Sequence, residues 1–149
     1  MLRSFLIGLV AGQRGMTPLA VVAGAARRGT LSAEMPGTRL LAHPVGAGGA
    51  VAMAAAEMAG DKMATAPDRT IPPGLIARAM SAGFAGAALA ERRRVTSALV
   101  AATTAVAAAY AGLALRRYGM RRWGQTATGF VEDVAVLAGG IAIARLPAR

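Results

Sequence analysis

The sequence predicts an all-α protein folded as a polytopic transmembrane helix bundle, with about four or five apolar helices, some of them short or broken. Three observations predict this class. Hydrophobic residues make up 55% of the 149 residues and the mean hydropathy is +0.48, too apolar for an ordinary soluble domain. Apolar segments recur along most of the chain. Arginines stand in blocks between these segments, as they do at the ends of membrane spans.

Composition also limits the class of protein. Because apolar segments occupy most of the length, residues 1–149 are best described as a single integral membrane domain. The formal net charge of +10 comes from 17 basic and 7 acidic residues. The bases flank apolar runs and accompany no nucleic-acid motif, so we expect no nucleic-acid partner. The absence of cysteine excludes disulfides and thiolate metal sites.

The first predicted span covers Ser4 to Ala26. Its length suits a hydrocarbon core of ~30 Å. Pro18 lacks a backbone donor and clashes with the preceding turn, so we expect a kink or unwinding between Gln13 and Thr17. A cleaved signal peptide is the alternative, but Arg14 interrupts the apolar core that such a peptide needs.

The middle of the chain contains two shorter apolar segments. Arg27 to Pro44 is polar and rich in Gly and Pro, so it predicts a connection outside the membrane. Val45 to Gly60 and Gly74 to Ala90 follow, each somewhat shorter than the ~20 residues of a full crossing. They are either two tilted spans or the two arms of a re-entrant hairpin, and we favour spans.

The last third of the chain predicts two spans. Thr96 to Leu115 carries no charge and is bracketed by arginine blocks, and Gly129 to Ile143 forms the final apolar segment. Tyr118 and Trp123 stand among arginines, where interfacial aromatic residues are expected. Basic residues are divided almost evenly between the two predicted sides, so orientation stays undetermined.

Acidic residues between the apolar segments are the candidate site, because carboxylates beside hydrocarbon need partners or a function. Glu57 and Asp61 are four residues apart and share one face of a helix. Lys62 follows directly, and Glu132 and Asp133 begin the final span. Such a group can bind a cation, carry a proton or pair with arginine.

Arginine supplies the expected partners of these acids. Arg14 lies within the first span and requires a counter-charge, which makes it the first candidate, and Arg78 is the second. The alternatives are that Asp61 to Arg69 is an ordinary surface loop, that Arg14 and a carboxylate form a buried pair for fold specificity, or that the group lies on a transport pathway. Glu132 and Asp133 could also simply favour a helix N-terminus.

Several short motifs together resemble a known family. These are Gly12-x-Arg14-x-x-x-Pro18-Leu19, Glu57-x-x-x-Asp61-Lys62, Gly83 in a small-residue helix, and Glu132-Asp133 in the final helix. From about Gly8 to Ile143, the pattern resembles the domain of unknown function 4126 family of small bacterial integral membrane proteins. The resemblance implies a multi-pass protein of the bacterial inner (cytoplasmic) membrane and implies no activity.

Two functions are compatible with these features. We expect a structural or accessory subunit of a membrane complex, because the chain is short and has no catalytic motif. The alternative is a small transporter or an ion- or proton-permeation protein whose polar centre is Arg14, Glu57 and Asp61. We expect no enzyme activity, cofactor or metal. The expected partners are the lipid bilayer and either further copies of the chain or other membrane-protein subunits.

Overall fold

The computed structural model describes residues 1–31, 36–63 and 70–146, and these residues form seven helices and no strand. The helices are α1 (Leu2–Gln13), α2 (Thr17–Arg27), α3 (Pro36–Ala42), α4 (Pro44–Gly60), α5 (Pro72–Ala88), α6 (Arg94–Trp123) and α7 (Gln125–Arg145). The all-helical prediction is confirmed. The polar connection between the first two apolar segments contains a short helix, α3, which the sequence interpretation missed.

The first predicted span is two helices separated by a break. α1 ends at Gln13, and Arg14 takes an extended conformation (φ −137°, ψ 104°). α2 begins at Thr17 with Pro18 in its first turn, where the missing N–H of proline is harmless. The predicted interruption between Gln13 and Thr17 is therefore confirmed, and it exposes backbone groups that need other partners.

The long helix α6 packs against both α1 and α5. These contacts depend on small residues. A Cβ atom at Gly8 would lie 2.6 Å from the Ala101 carbonyl oxygen, and one at Gly86 would lie 2.6 Å from the Ser97 carbonyl oxygen. Glycine at these positions lets the helix backbones approach closely, as in helix pairs that pack within lipid.

A second group of helices surrounds α2, which contacts α3 and α4. Ala23, Ala47 and Ala50 form a small apolar cluster there. α5 packs against α6, α1 and α2, whereas α4 packs against α2 and α3. Within the described residues, α2 is the neighbour that α4 and α5 share, and Arg78 of α5 also pairs with Glu57 of α4 at 3.4 Å.

α7 returns from α6 through a tight turn. Gly124 has a φ of +82°, a backbone conformation that favours glycine over other residues. α7 then runs back along α6 and contacts α1 and α2. Val10, Val21, Val136 and Ile143 belong to the main apolar core. The last described helix, α7, therefore packs against the first two, α1 and α2.

In the described part of the chain, two helices are long and apolar enough to cross a membrane: α6 with 30 residues and α7 with 21. They contain the predicted spans Thr96 to Leu115 and Gly129 to Ile143. The prediction of four or five such helices is not met by length, because α1 and α2 have 12 and 11 residues and α4 and α5 have 17 each.

Candidate functional site

Charged side chains from five parts of the fold meet inside the molecule, and we call them the charge cluster. The cluster consists of Arg14, Glu57, Asp61, Lys62, Arg78, Arg116, Glu132 and Asp133. These residues come from the break after α1, the C-terminal end of α4, the middle of α5, the last third of α6 and the first half of α7. Four of the seven acids of the chain are in this cluster.

Arg14 is the centre of the cluster and is completely buried, with 0% of its side chain exposed. Its Nε donates to Asp133 Oδ1 at 2.8 Å, and its Nη1 donates to Asp61. Its Nη2 lies 2.8 Å from Asp133 Oδ1 and 3.5 Å from Glu132 Oε2, as an ion pair without an aligned hydrogen bond. Three carboxylates therefore surround one guanidinium.

Arg116 is the second bridging guanidinium. Its Nη1 lies 3.1 Å from Asp61 Oδ2 and 3.0 Å from Glu132 Oε2, and its Nη2 donates to the Asp61 backbone carbonyl at 2.6 Å. Asp61 Oδ2 thus accepts from both Arg14 and Arg116, which joins α1, the end of α4 and α6 at one level. Arg116 directly follows the uncharged part of α6, Val95 to Leu115, which extends about 31 Å at the helical rise per residue.

Lys62 completes the cluster on the side of α7. Its ammonium group donates to Asp133 Oδ2 and also to the Met58 carbonyl oxygen at 2.9 Å. The same ammonium lies 4.8 Å from the centre of the Phe130 ring, within the range of a favourable cation–π interaction. Asp133 is consequently shared by Arg14 and Lys62, one base on each carboxylate oxygen.

Glu57 occupies the break between α1 and α2. Its two carboxylate oxygens accept from the backbone N–H groups of Gly15 and Met16, each at 2.8 Å. These donors precede the first turn of α2, where the helix dipole also favours a negative charge. Arg78 Nη2 lies 3.4 Å from Glu57 Oε1. Glu57 therefore satisfies the backbone groups that the break leaves without helical partners.

The charges of the cluster balance. The cluster contains four basic and four acidic side chains, so their formal charges cancel. Asp61 and Lys62 are the most accessible members, each with 20% of the side chain exposed. A neutral, hydrogen-bonded group is the form in which charges are tolerated inside a protein. Chemically it can hold helices together, and its exposed edge can exchange with solvent.

All seven residues predicted from sequence as an internal charged site are in the cluster. The expected pairing of Arg14 with Asp61 is present, while Glu57 pairs with Arg78 and the backbone. Asp61 is not a free surface-loop residue, because two guanidinium groups bind its carboxylate. Asp68 and Arg69, which belong to the same predicted acidic run, lie outside the described residues.

Arg116 was missed because the sequence interpretation treated it, with its neighbour Arg117, as an arginine flanking a span. A signal for its position exists in α6. Small residues recur at helical spacing from Ala101 through Ala105 to Gly112, and Arg116 continues that buried face. Arg117 is exposed. The position of each residue around the helix therefore distinguishes Arg116 from Arg117, although both belong to the same arginine pair.

A groove between α6 and α7 adjoins the charge cluster. It has a volume of about 730 Å³ and an almost wholly apolar lining. Arg116 and Glu132 form part of its wall, and the exposed side chains of Tyr118, Trp123 and Val131 also line it. The described residues contain no group of three or more His, Cys, Asp or Glu side chains placed to hold a metal ion.

Comparison with protein-family models, with curated proteins and with solved structures finds no match to this chain. The resemblance to the domain of unknown function 4126 family therefore stays a prediction. What defines the site is its geometry: a broken helix, a buried arginine and a balanced set of carboxylates from distant parts of the chain.

Proposed function

We propose that this chain is a multi-pass membrane protein of the bacterial inner membrane with a structural or accessory role in a membrane complex. The distribution of polarity supports a membrane location. Large apolar side chains are exposed, among them Val95 at 75% and Val131 at 71%, while Arg14 is completely buried. Extensive exposed apolar surface is unfavourable in water and normal in lipid.

The shorter helices fit the same proposal. α4 and α5 have 17 residues each and extend about 26 Å, a few ångströms short of the ~30 Å core. Local thinning of the bilayer accommodates such a mismatch at a modest cost. The broken pair α1–α2 is tolerated because its irregular backbone is covered by Glu57 and is not exposed to lipid.

One observation carries the structural role: the cluster is closed at its centre. Every carboxylate has a base within ion-pair distance, and Arg14 has no exposed surface. A group that moves an ion needs access to water and a vacancy for the ion, whereas a charge-balanced cluster fixes helices in one arrangement. The cluster therefore acts as a brace between α1, α4, α5, α6 and α7.

The outer face of α4 favours association with other subunits. Gly48, Ala52 and Ala56 recur every four residues on this helix and are exposed. A Cβ atom at Gly48 would meet nothing within 4 Å. Such a face allows another helix to approach closely in lipid.

The test is purification of the chain at its native level from its own membranes in a mild detergent. A structural or accessory subunit is expected to be recovered in a fixed molar ratio with partner chains. An Ala52→Leu variant should lose the partners, and Thr103→Leu, on the exposed side of α6, should keep them. Recovery of the wild-type chain only as a free monomer would contradict the proposal.

A second function, ion or proton permeation, is favoured by one feature. The helix break lies beside the charged groups, as in the discontinuous helices of transporters, and the groove reaches Arg116 and Glu132. If this function is correct, Glu57→Gln should abolish proton or ion flux in proteoliposomes while the protein stays folded. Unchanged flux in a folded Glu57→Gln protein would exclude it.

A further inference from the structure

The groove between α6 and α7 has the dimensions of a site for one lipid chain. It runs from Gly112 to Trp123 on α6, which is ~17 Å at the helical rise per residue. One leaflet of a bilayer contributes about 15 Å of hydrocarbon, half of the ~30 Å core. Its lining is almost entirely apolar, and its volume is about 730 Å³.

The part of the groove near the C-terminal end of α6 has the features of a membrane interface. Tyr118 and Trp123 line it, and these two residue types are enriched at the level of lipid headgroups. Thr128 of α7 also lines the groove, beside Gly119 of α6. An acyl chain lying toward Gly112 would therefore place its headgroup beside the end of α6.

A positive charge stands at that end. Arg122 is exposed and lies four residues after Tyr118 and seven after Leu115, so it shares the side of α6 that lines the groove. Arg121 is also exposed but faces about 100° away. The acid of the groove wall, Glu132, is already bound by Arg116 at 3.0 Å. The charge offered to a headgroup is consequently positive.

We propose that this groove binds an anionic phospholipid, with one acyl chain between α6 and α7 and the phosphate against Arg122. The proposal rests on the membrane location argued under the proposed function. It does not depend on whether the chain is an accessory subunit or a permeation protein.

Trp123 provides a native reporter, because it is the one tryptophan of the chain and it lines the groove. Purified full-length protein is reconstituted with phosphatidylglycerol or phosphatidylcholine carrying bromine on the acyl chain, and quenching of Trp123 is measured against the mole fraction of each lipid. We expect phosphatidylglycerol to be preferred about fivefold, the effect of one arginine beside an anionic lipid.

Matched variants separate a site from general surface charge. Arg122→Gln should reduce the preference to about one, and Arg121→Gln should retain it. Ala135→Phe, which fills the groove wall, should also remove the preference, while Thr103→Phe, on the exposed side of α6 away from the groove, should not. If circular dichroism shows that Ala135→Phe does not fold, the comparison of Arg121→Gln with Arg122→Gln still tests the proposal.

Several results would overturn the proposal. Equal quenching by both lipids in the wild-type protein would do so, as would an equal loss in Arg121→Gln and Arg122→Gln. Displacement of phosphatidylglycerol by inorganic phosphate would show that the groove contributes nothing. Weak quenching by both lipids with strong quenching by aqueous acrylamide would refute the membrane location itself. Protection of Trp123 from lipid and from acrylamide would mean that a protein helix fills the groove.

Discussion

At the residue scale, the most informative feature is a completely buried arginine in a non-helical position. Arg14 has backbone angles outside the helical region and three carboxylates around its guanidinium. Its burial and its need for a counter-charge follow from its apolar sequence context. The identity of its partners does not, because Asp133 is 119 residues away in sequence. Only the packing of α7 against α1 brings the two together.

Replacing Arg14 by glutamine should strongly destabilise the fold. Asp61, Glu132 and Asp133 would then share too few bases, and breaking a buried ion pair from one side costs about 3–5 kcal/mol. Thermal unfolding in detergent micelles, followed by circular dichroism, measures the effect. Arg27→Gln is the control, because Arg27 is exposed at the end of α2. Equal stability of the two variants would contradict a bracing role.

The pair of Lys62 and Asp133 should be energetically coupled. Lys62→Met leaves Asp133 with one base instead of two, and Asp133→Asn leaves Lys62 without its carboxylate. We expect the double variant to be about 0.5–3 kcal/mol more stable than the sum of the single effects predicts, the usual range for residues in one network. A double-mutant cycle on the free energy of unfolding would show strict additivity if the two groups act independently.

At the scale of elements, the sequence predicted the helices well and their partners poorly. The break near Pro18 and the long helices α6 and α7 followed from proline chemistry and from uninterrupted apolar length. The short helix α3 was missed because its composition is that of a polar connection. Helix pairing depends on faces of small residues. Alanine and glycine recur throughout this chain, so the sequence alone does not show which faces pack together.

Gly12 tests the contact between α1 and α6. A Cβ atom there would lie 2.8 Å from the Ala105 carbonyl oxygen, so Gly12→Ala must push the helices apart at a cost of about 1–3 kcal/mol. Gly48→Ala is the matched control, since a Cβ atom at this helical glycine meets nothing within 4 Å. Chemical unfolding in mixed micelles should show loss of stability in the first variant only. Loss in both would point to a general effect of the substitution.

At the scale of the whole molecule, polarity is arranged with charge inside and hydrocarbon outside. Four carboxylates are held within the helices, while Leu99, Val131 and Ile141 are largely exposed. Composition predicts a membrane protein, and two helices of the described residues are long and apolar enough to cross a bilayer. The sequence context identified most of the charge cluster. The number of crossings could not be predicted, because length and hydropathy do not determine whether a 17-residue helix crosses the bilayer.

The membrane location can be tested with the chain's lack of cysteine. Leu99→Cys and Ile141→Cys, on the apolar faces of α6 and α7, should resist a polar maleimide in permeabilised proteoliposomes. Arg121→Cys should react rapidly, because it lies beyond the uncharged part of α6. All three should react after denaturation in detergent. Equal reactivity of the three before denaturation would show that α6 and α7 are surrounded by water.

The distance along the chain between Arg14 and Asp133 also affects how the protein is made. A ribosome releases α1 long before α7 exists, so Arg14 must wait for the synthesis of more than a hundred further residues before its full set of carboxylates is available. A buried arginine that lacks its counter-charges is strongly unfavourable. The surroundings of Arg14 therefore stay incomplete until α7 has been synthesised, and packing of α7 against α1 is the step that completes them.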